Sequence, residues 1–290
     1  MFINECTQKK FNLYIKEKNG KINIYLYIYF ERGAFMNIAI ITGASSGIGR
    51  EFAIQLNKKE KFDEIWLIAR RVQKMETLSN ELSVKTKILP LDLTKSEDIE
   101  KFSLELEKEK PNIRYLVNSS GYGKFGSYDE VSLADSSQMI DLNCKALVML
   151  TLHSIKYMTK GSKIINMGSA SSFFPLPFLN VYASTKAFVV HYSIALHEEL
   201  KPKGITVTVV SPGWVKTEFF DRADNNDHVH GPRYYKPMYE AKNVVKKALK
   251  DAEKGRKESV LGAYTRFHRF GGRFFPRGLM LHFWKKMQKR

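Results

Sequence analysis

Polar and apolar positions alternate between two forms from residue 37 onward. Short β-branched apolar runs recur at NIAIIT (37–42), EIWLIA (64–69), KTKILPLD (85–92), IRYLVN (113–118), KIINMG (163–168) and ITVTVV (205–210), with amphipathic helical spacing between them. Unbroken apolar strands suit a sheet covered on both faces, and strand–helix alternation joins such strands in parallel. The pattern therefore predicts an α/β fold: a doubly wound, mostly parallel sheet with helices on both faces. A weaker last strand falls near Ser259–Leu261. The chain shows neither an internal repeat nor a linker rich in Pro, Gly or Ser. One domain over 36–263 is expected, flanked by a leader (1–35) and a C-terminal extension (264–290).

The segment 213–238 breaks the rhythm. It is long, polar and aromatic, with DRADNNDHVHGPRYYKP in its middle, directly after the sixth run. Long loops of this kind often serve as lids, so it is expected to cover a substrate.

Composition narrows the classes. With 290 residues, 43% of them apolar and 27% charged, the chain can bury one large core. No apolar run reaches the roughly 18–20 residues of a membrane-spanning helix. Cys6 and Cys144 are too few for a disulfide framework or a zinc cluster, which fits a reducing cytoplasm. His191 and His197 on a predicted helix, and His228 and His230 in a polar loop, lack metal-ligand spacing, so no metal is expected. The net charge of +17 is densest at the extreme C-terminus rather than spread along the chain.

Three motifs carry chemistry. TGASSGIG sets Gly43, Gly47 and Gly49 between the first strand and a helix beginning near Ile48. Glycines there permit a tight turn and close approach to a pyrophosphate, while the helix N-terminus offers free N–H groups. In a dinucleotide-binding, Rossmann-type fold, an acid about twenty residues on grips the ribose of NAD, whereas arginine accommodates the 2′-phosphate of NADP. Here Arg70 and Arg71 stand in that place, so NADP (NADPH) is expected in preference to NAD, with the Ser45 hydroxyl aiding the same phosphate. In VYASTK, Tyr182 and Lys186 lie one helical turn apart on a common face. An ammonium beside the phenol is expected to lower its pKa and make it a proton donor and base. Ser169, at a strand's carboxyl end, would point its hydroxyl into the same crevice, with Ser171 and Ser172 as competitors.

Taken together, these residues resemble the short-chain dehydrogenase/reductase family over roughly 37–220. TGASSGIG is similar to the family's TGxxxGIG loop, which adds Ser46 and Ile48 to the cofactor contacts. NSSG at 118–121 resembles the NAG-type motif (Asn118, Ser119, Gly121), with Ser120 in place of the usual alanine. Asp92 and Leu93 fall where the family contacts adenine, and Asn143 matches the asparagine that completes a tetrad with Ser169, Tyr182 and Lys186. SPGWVKT resembles the segment in which Pro212, Gly213, Val215 and Thr217 line the nicotinamide.

The resemblance implies an NADPH-dependent interconversion of a carbonyl and a secondary alcohol. Tyr182 would donate the proton, Lys186 would lower its pKa and hold the nicotinamide ribose, Ser169 would steady the carbonyl oxygen, and Asn143 would keep a water linking Lys186 to solvent. It also implies a small-molecule carbonyl or alcohol as substrate, and a homo-oligomer. The alternative is a non-catalytic NADP-binding sensor or a membrane-docked module that kept the fold.

The tail from Tyr264 contains no acid. It interleaves Arg266, Arg269, Arg273, Arg277, Lys285, Lys286, Lys289 and Arg290 with Phe267, Phe270, Phe274, Phe275, Phe283 and Trp284. This mixture suits an anionic membrane surface first, with a subunit or substrate-side contact next and a solvated tail last. Nucleic acid is not expected, since no recognition motif accompanies the charge. The tail resembles an extension in family members that act on lipids and steroids, which implies a hydrophobic substrate, steroid-like or fatty. The expected location is the cytoplasm, at the periphery of a membrane.

The leader is crowded with Phe, Ile, Asn, Lys and Tyr, the residues of AT-rich codons, and lacks the form of a signal peptide. Glu31-Arg32-Gly33 can be encoded by a purine run just ahead of Met36. Translation is expected to start at Met36, leaving 1–35 outside the native fold; the alternative is a membrane-associating leader around 22–30.

Overall fold

The computed structural model describes residues 8–18, 21–31, 36–223, 232 and 235–286. His228, His230, Lys289 and Arg290 lie outside the described residues. Within the leader, strands β1 (Gln8–Lys18) and β2 (Lys21–Glu31) pair antiparallel, with Lys18 opposite Lys21. Residues 1–36 and 37–290 are separate compact units.

In the second unit the apolar runs become β3 (Asn37–Thr42), β4 (Glu64–Ile68), β5 (Thr86–Leu89), β6 (Asn112–Asn118), β7 (Lys163–Met167) and β8 (Thr206–Val210). The weak last strand is β11 (Glu258–Ser259). The sheet order is β11-β8-β7-β6-β3-β4-β5, every pair parallel. Side chains of β3 point alternately to the two faces, and Ile38 to Ile41 are wholly buried, as a sheet covered on both sides requires.

One covering layer contains helices α1 (Gly47–Lys59), α2 (Val72–Glu81) and α8 (Ala241–Glu253). Phe52 and Leu56 of α1, Met75 and Leu78 of α2, and Val245 and Ala248 of α8 join Ala39, Ile41, Tyr115 and Val117 in one core cluster. The opposite layer is built from α3 (Ser96–Glu109), the helical stretch α4 (Leu133–Ile140) to α5 (Leu147–Ile155), and the 21-residue α6 (Asn180–Leu200). There Leu147 and Val189 pack on Val209.

The region read as an irregular loop after the sixth run carries short elements of its own. β9 (Trp214–Lys216) pairs in parallel with β10 (Met238–Glu240), and α7 (Phe219–Ala223) lies between them in the chain. The cause is apolar: Val215 joins the main core, and Trp214, Phe219 and Phe220 gather in an aromatic cluster. The extension forms α9 (Ala263–Phe274) and α10 (Arg277–Lys286).

The sheet order reverses at β3, whose neighbours β4 and β6 are reached by opposite excursions of the chain. The crevice beyond the carboxyl ends of β3 and β6 is the natural ligand site of such a sheet. Two glycines keep it open. Gly43 has φ +66°, and a Cβ there would come within 2.9 Å of the Ser119 carbonyl oxygen; a Cβ on Gly49 would collide with the Gly43 carbonyl oxygen. Gly49→Ala should therefore destabilise the protein by about 1–3 kcal/mol through overpacking, although alanine is the better helix former. Gly278→Ala in α10, where a Cβ meets nothing within 4 Å, should be neutral or mildly stabilising. Urea denaturation of both variants checks the contrast; equal effects would contradict it.

Candidate active site

A cleft of about 560 Å³ opens at the carboxyl ends of β3, β4, β6, β7 and β8. Its floor is the β3–α1 turn: Gly43, Ser45, Ser46, Gly47, Ile48 and Gly49 all line it. The first N–H groups of α1 have no acceptor within the helix, the Ser46 hydroxyl does not cap them, and no acid stands in the first turn. Such an end attracts an anion. Thr42 completes the floor, its Oγ1 accepting the N–H groups of Ser119 at 3.0 Å and Ser120 at 2.9 Å, which ties the β6 loop to the glycine turn. The donors and the room fit a dinucleotide with its pyrophosphate over α1.

The two arginines separate. Arg71 donates from Nε and Nη2 to Ser45 Oγ at 3.2 and 3.0 Å, and from Nη2 to Ser46 Oγ at 2.7 Å. Arg70 turns toward Asp92, 3.9 Å away. Both arginines, with Asp92 and Leu93, line one end of the cleft. Sequence reasoning missed two charges here: Glu218 accepts from Arg71 Nη1 at 2.7 Å and from Lys74 Nζ at 2.6 Å. These hydrogen bonds hold the Glu218 carboxyl down to about 2. No local pattern marks a pairing across 144 to 147 positions.

The other end holds Ser169, Tyr182 and Lys186 along the cleft. Ser169 caps a short turn after β7, its Oγ accepting from the Ser171 N–H at 3.2 Å. Ser172 instead donates its hydroxyl to the Ser169 carbonyl at 2.6 Å, while the buried Ser171 hydroxyl lines the cleft without a partner. Lys186 is buried and donates to the Met167 carbonyl at 2.8 Å, which aims its Nζ along the Tyr182 ring, 5.7 Å from the ring centre.

The expected lowering of the Tyr182 pKa is not what this protein sets up. Burial pushes the phenol up to about 12, and hydrogen bonding by Ser169, which favours the phenolate, is the smaller effect. Burial also pushes Lys186 down to about 8, so its amine is a weaker base than a solvated lysine. Desolvation opposes both charged forms and is the largest cause of each shift.

Asn143 and Asn118 stand behind the cleft wall rather than in it. A π-helical turn (Asp141–Ala146) interrupts the stretch between α4 and α5 at Asn143. π turns of this kind often occur at functional positions, where the extra residue re-aims a side chain. Asn143 accepts the Tyr122 N–H at 3.1 Å and donates to the Tyr122 carbonyl at 2.9 Å and Thr185 Oγ1 at 3.0 Å. A Cβ on Gly121 would lie 2.9 Å from Asn143 Oδ1 and 3.3 Å from Lys186 Nζ, so both polar groups converge on that glycine. Asn118 is buried and donates to Thr151 Oγ1 and Asn166 Oδ1, each at 2.9 Å, bracing β6 against β7. Next to Asn143, burial pushes the Cys144 thiol up to about 11, which leaves it a poor nucleophile.

Ser119, Gly121, Pro212, Gly213, Val215 and Thr217 border the centre of the cleft. Beyond Tyr182 the walls become apolar: Phe125, Leu176, Leu179, Ala183, Ala223 and Trp284 form a cluster with Phe174, Trp214, Phe219 and Phe220 packed on it. Phe219 lies against Tyr182 with ring centres 5.6 Å apart. Of the contacts expected for the tail, Trp284 makes the substrate-side one: it is buried, its indole N–H donating to the Pro177 carbonyl at 2.8 Å and its rings filling this cluster. Tyr264, Thr265 and His268 of α9 also line the cleft.

The model of the short chain dehydrogenase family matches residues 37–228. The very-long-chain 3-oxoacyl-CoA reductase of Bos taurus is 33% identical over 222 residues, covering 73% of this chain and 67% of that protein. The enzyme of that name from Aspergillus niger is 33% identical over 184 residues, 59% of this chain; the match spans only 52% of the fungal protein. A solved structure of a short-chain dehydrogenase from Sphingobium yanoikuyae in complex with NADPH superposes with a TM-score of 0.70 at 27% identity, covering 84% of this chain and 95% of that one.

The buried lysine has a measurable consequence. An unfolded chain keeps the Lys186 proton up to the ordinary value of 10.5, whereas the folded protein releases it near 8. Between those values the unfolded state binds more protons, so stability gains with rising pH. Relative to Lys186→Met, the wild type without nucleotide should gain about 1–2 kcal/mol of unfolding free energy between about pH 7.5 and pH 10. A pH-independent difference in urea melts would show that Lys186 stays charged.

Proposed function

The chain belongs to the short-chain dehydrogenase/reductase family of NAD(P)-dependent oxidoreductases, and from that premise we propose that it interconverts a hydrophobic ketone and its secondary alcohol using NADP(H). The observation that carries the substrate class is the aromatic and aliphatic wall against Tyr182, made by Phe125, Leu176, Leu179, Phe219 and Trp284. A relative named for very-long-chain 3-oxoacyl-CoA, and a structural neighbour holding NADPH, point the same way. Steroid-like and fatty carbonyls both fit such a wall.

In this reading the glycine turn and the α1 N-terminus hold the pyrophosphate, Arg71 with Lys74 and Ser45 holds the 2′-phosphate, and Arg70, Asp92 and Leu93 border the adenine. Val215 and Thr217 border the nicotinamide, and Tyr182 with Lys186 holds its ribose. The cofactor, when bound, supplies or accepts the hydride at the carbonyl carbon. Tyr182 begins as a neutral phenol, the form that donates a proton to the substrate oxygen. The Ser169 hydroxyl orients that oxygen and steadies its developing charge. Lys186, titrating within reach of neutral pH, stabilises the phenolate left behind, and Asn143 positions Lys186 by filling the space behind Gly121. The presence of Ser169, Tyr182, Lys186 and Asn143 around one point supports catalysis over a silent NADP sensor.

Tyr182→Phe should still bind NADPH, weakened by no more than about tenfold through the lost ribose hydrogen bond, and lose about 10²–10⁴-fold in kcat, the usual contribution of a general acid. The measurement is NADPH oxidation with a panel of steroid, acyl and sugar carbonyls. Turnover confined to sugars, or retained by the variant, would contradict the reading.

A second reading concerns where the enzyme works, and the outer face of the tail favours it. On α9 the face turned from the protein bears Phe267, Phe270 and Phe274, all more than half exposed, flanked by exposed Arg266 and Arg273. Phe275, Leu279 and Phe283 extend the apolar surface, and exposed Arg277, Lys285 and Lys286 add charge. Among the described residues no helix is long and apolar enough to cross a membrane. The face therefore suits contact with an anionic bilayer surface on the cytoplasmic side, where each basic group adds about 1 kcal/mol. The protein should cosediment with phosphatidylserine vesicles but not with neutral ones, and substitution of Phe267, Phe270 and Phe274 by Ser should abolish this. Cosedimentation with neither would overturn it.

A further inference from the structure

The two cations at the adenine end already share a carboxylate. Lys74 lies three residues beyond Arg71 on α2, and Glu218 receives one hydrogen bond from each through separate oxygens. The other N–H groups of Arg71 point to Ser45 and Ser46 on the glycine turn. Two cations thus hold a single negative charge, and one of them also reaches two hydroxyls on the turn that opens α1. A phosphate monoester carries close to two negative charges and three strong acceptor oxygens, and a guanidinium fork matches it well. Glu218 occupies those cations with half the charge.

Glu218 also lies at a junction. Thr217 rests on the glycine turn, its Cγ2 3.1 Å from where a Cβ on Gly47 would stand. Phe219 opens α7 and packs on Tyr182 at 5.6 Å. Phe220 touches Trp214, ring centres 5.9 Å apart. Residues 217–219 therefore form a strap over the glycine turn, from the phosphate end to the proton donor.

We propose that Glu218 is a specificity-determining residue that competes with the cofactor's 2′-phosphate for Arg71 and Lys74, so that a 2′-phosphorylated nucleotide frees the strap and shifts Phe219 beside Tyr182. The inference rests on the reading of Arg71 as a phosphate contact. A nucleotide without that phosphate leaves the two ion pairs in place and the strap down. Glu218 then sets how strongly NADP is preferred over NAD, and it makes the substrate wall respond to which of the two is bound.

Calorimetric titration of the full chain with NADPH, NADH and adenosine 2′,5′-bisphosphate tests this on the wild type, Glu218→Gln, Glu218→Ala and Arg71→Ala. Exposed ion pairs are individually weak, so removing the carboxylate should tighten NADPH and the bisphosphate by about three- to tenfold and change NADH by less than about twofold. In the wild type the bisphosphate should shift tryptophan emission through Trp214, and 5′-ADP should not; in Glu218→Gln the shift should be largely lost. Unchanged or weaker NADPH binding in both Glu218 variants, in a wild type that still prefers NADPH, would overturn the proposal alone. A wild type without that preference, or an Arg71→Ala variant with undiminished NADPH affinity, would overturn the phosphate reading and the proposal together.

Discussion

Where β3 turns into α1, two backbones come closer than any side chain allows. A Cβ on Gly43 would press within 2.9 Å of the Ser119 carbonyl, and one on Gly49 would strike the Gly43 carbonyl. That contact seats α1 directly on the strand end, so its free N–H groups face the crevice. It also draws in the β6 loop, which Thr42 fastens through the Ser119 and Ser120 N–H groups. Gly121, at the end of that loop, then leaves room for Asn143 and Lys186 to converge behind Tyr182. The α1 N-terminus and the Tyr182–Lys186 end of the cleft are thus tied together by one close-packed backbone turn.

Solvent divides the electrostatics of those ends. At the buried end, desolvation dominates: it raises Tyr182, which stays a neutral phenol, and lowers Lys186, which releases its proton near pH 8. Charge that develops there during reaction meets donors already in place rather than water, which is how preorganised sites lower barriers. At the exposed end, direct pairing dominates, and Arg71 and Lys74 keep Glu218 ionised. In the proposed reaction, a phosphate at the Arg71 end exchanges ion-pair partners, while events at Tyr182 change protonation.

Much of this was legible in the chain because it is local. Six apolar runs marked six strands to within a few residues, and the glycine turn, Ser169, Tyr182 and Lys186 each sit on an element whose period or punctuation announces it. What escaped was non-local or depended on burial. The Glu218 pairing joins residues 144 to 147 positions apart, and Trp284 returns to Pro177 from 107 positions away. The π turn at Asn143 leaves no compositional trace, since one added residue in a helix alters neither its apolar spacing nor its caps. Tyr182 went the other way from its sequence expectation because an i, i+4 spacing tells which groups are neighbours, not how much water surrounds them. The tail read as a surface feature, and its outer aromatics are exposed. Its inner face, with Trp284 and His268, became part of the cleft wall because the Leu176–Leu179 region offered an apolar surface to cover.

In the proposed reaction one cleft brings a reducing nucleotide and an apolar carbonyl together at Tyr182. Its most direct test is transfer of label from NADPH deuterated at C4 of the nicotinamide to an apolar ketone, read by mass spectrometry of the alcohol product. One deuterium should appear on the carbinol carbon, from one face of the nicotinamide only. Tight NADPH binding with no label transferred to any ketone of the panel would contradict it.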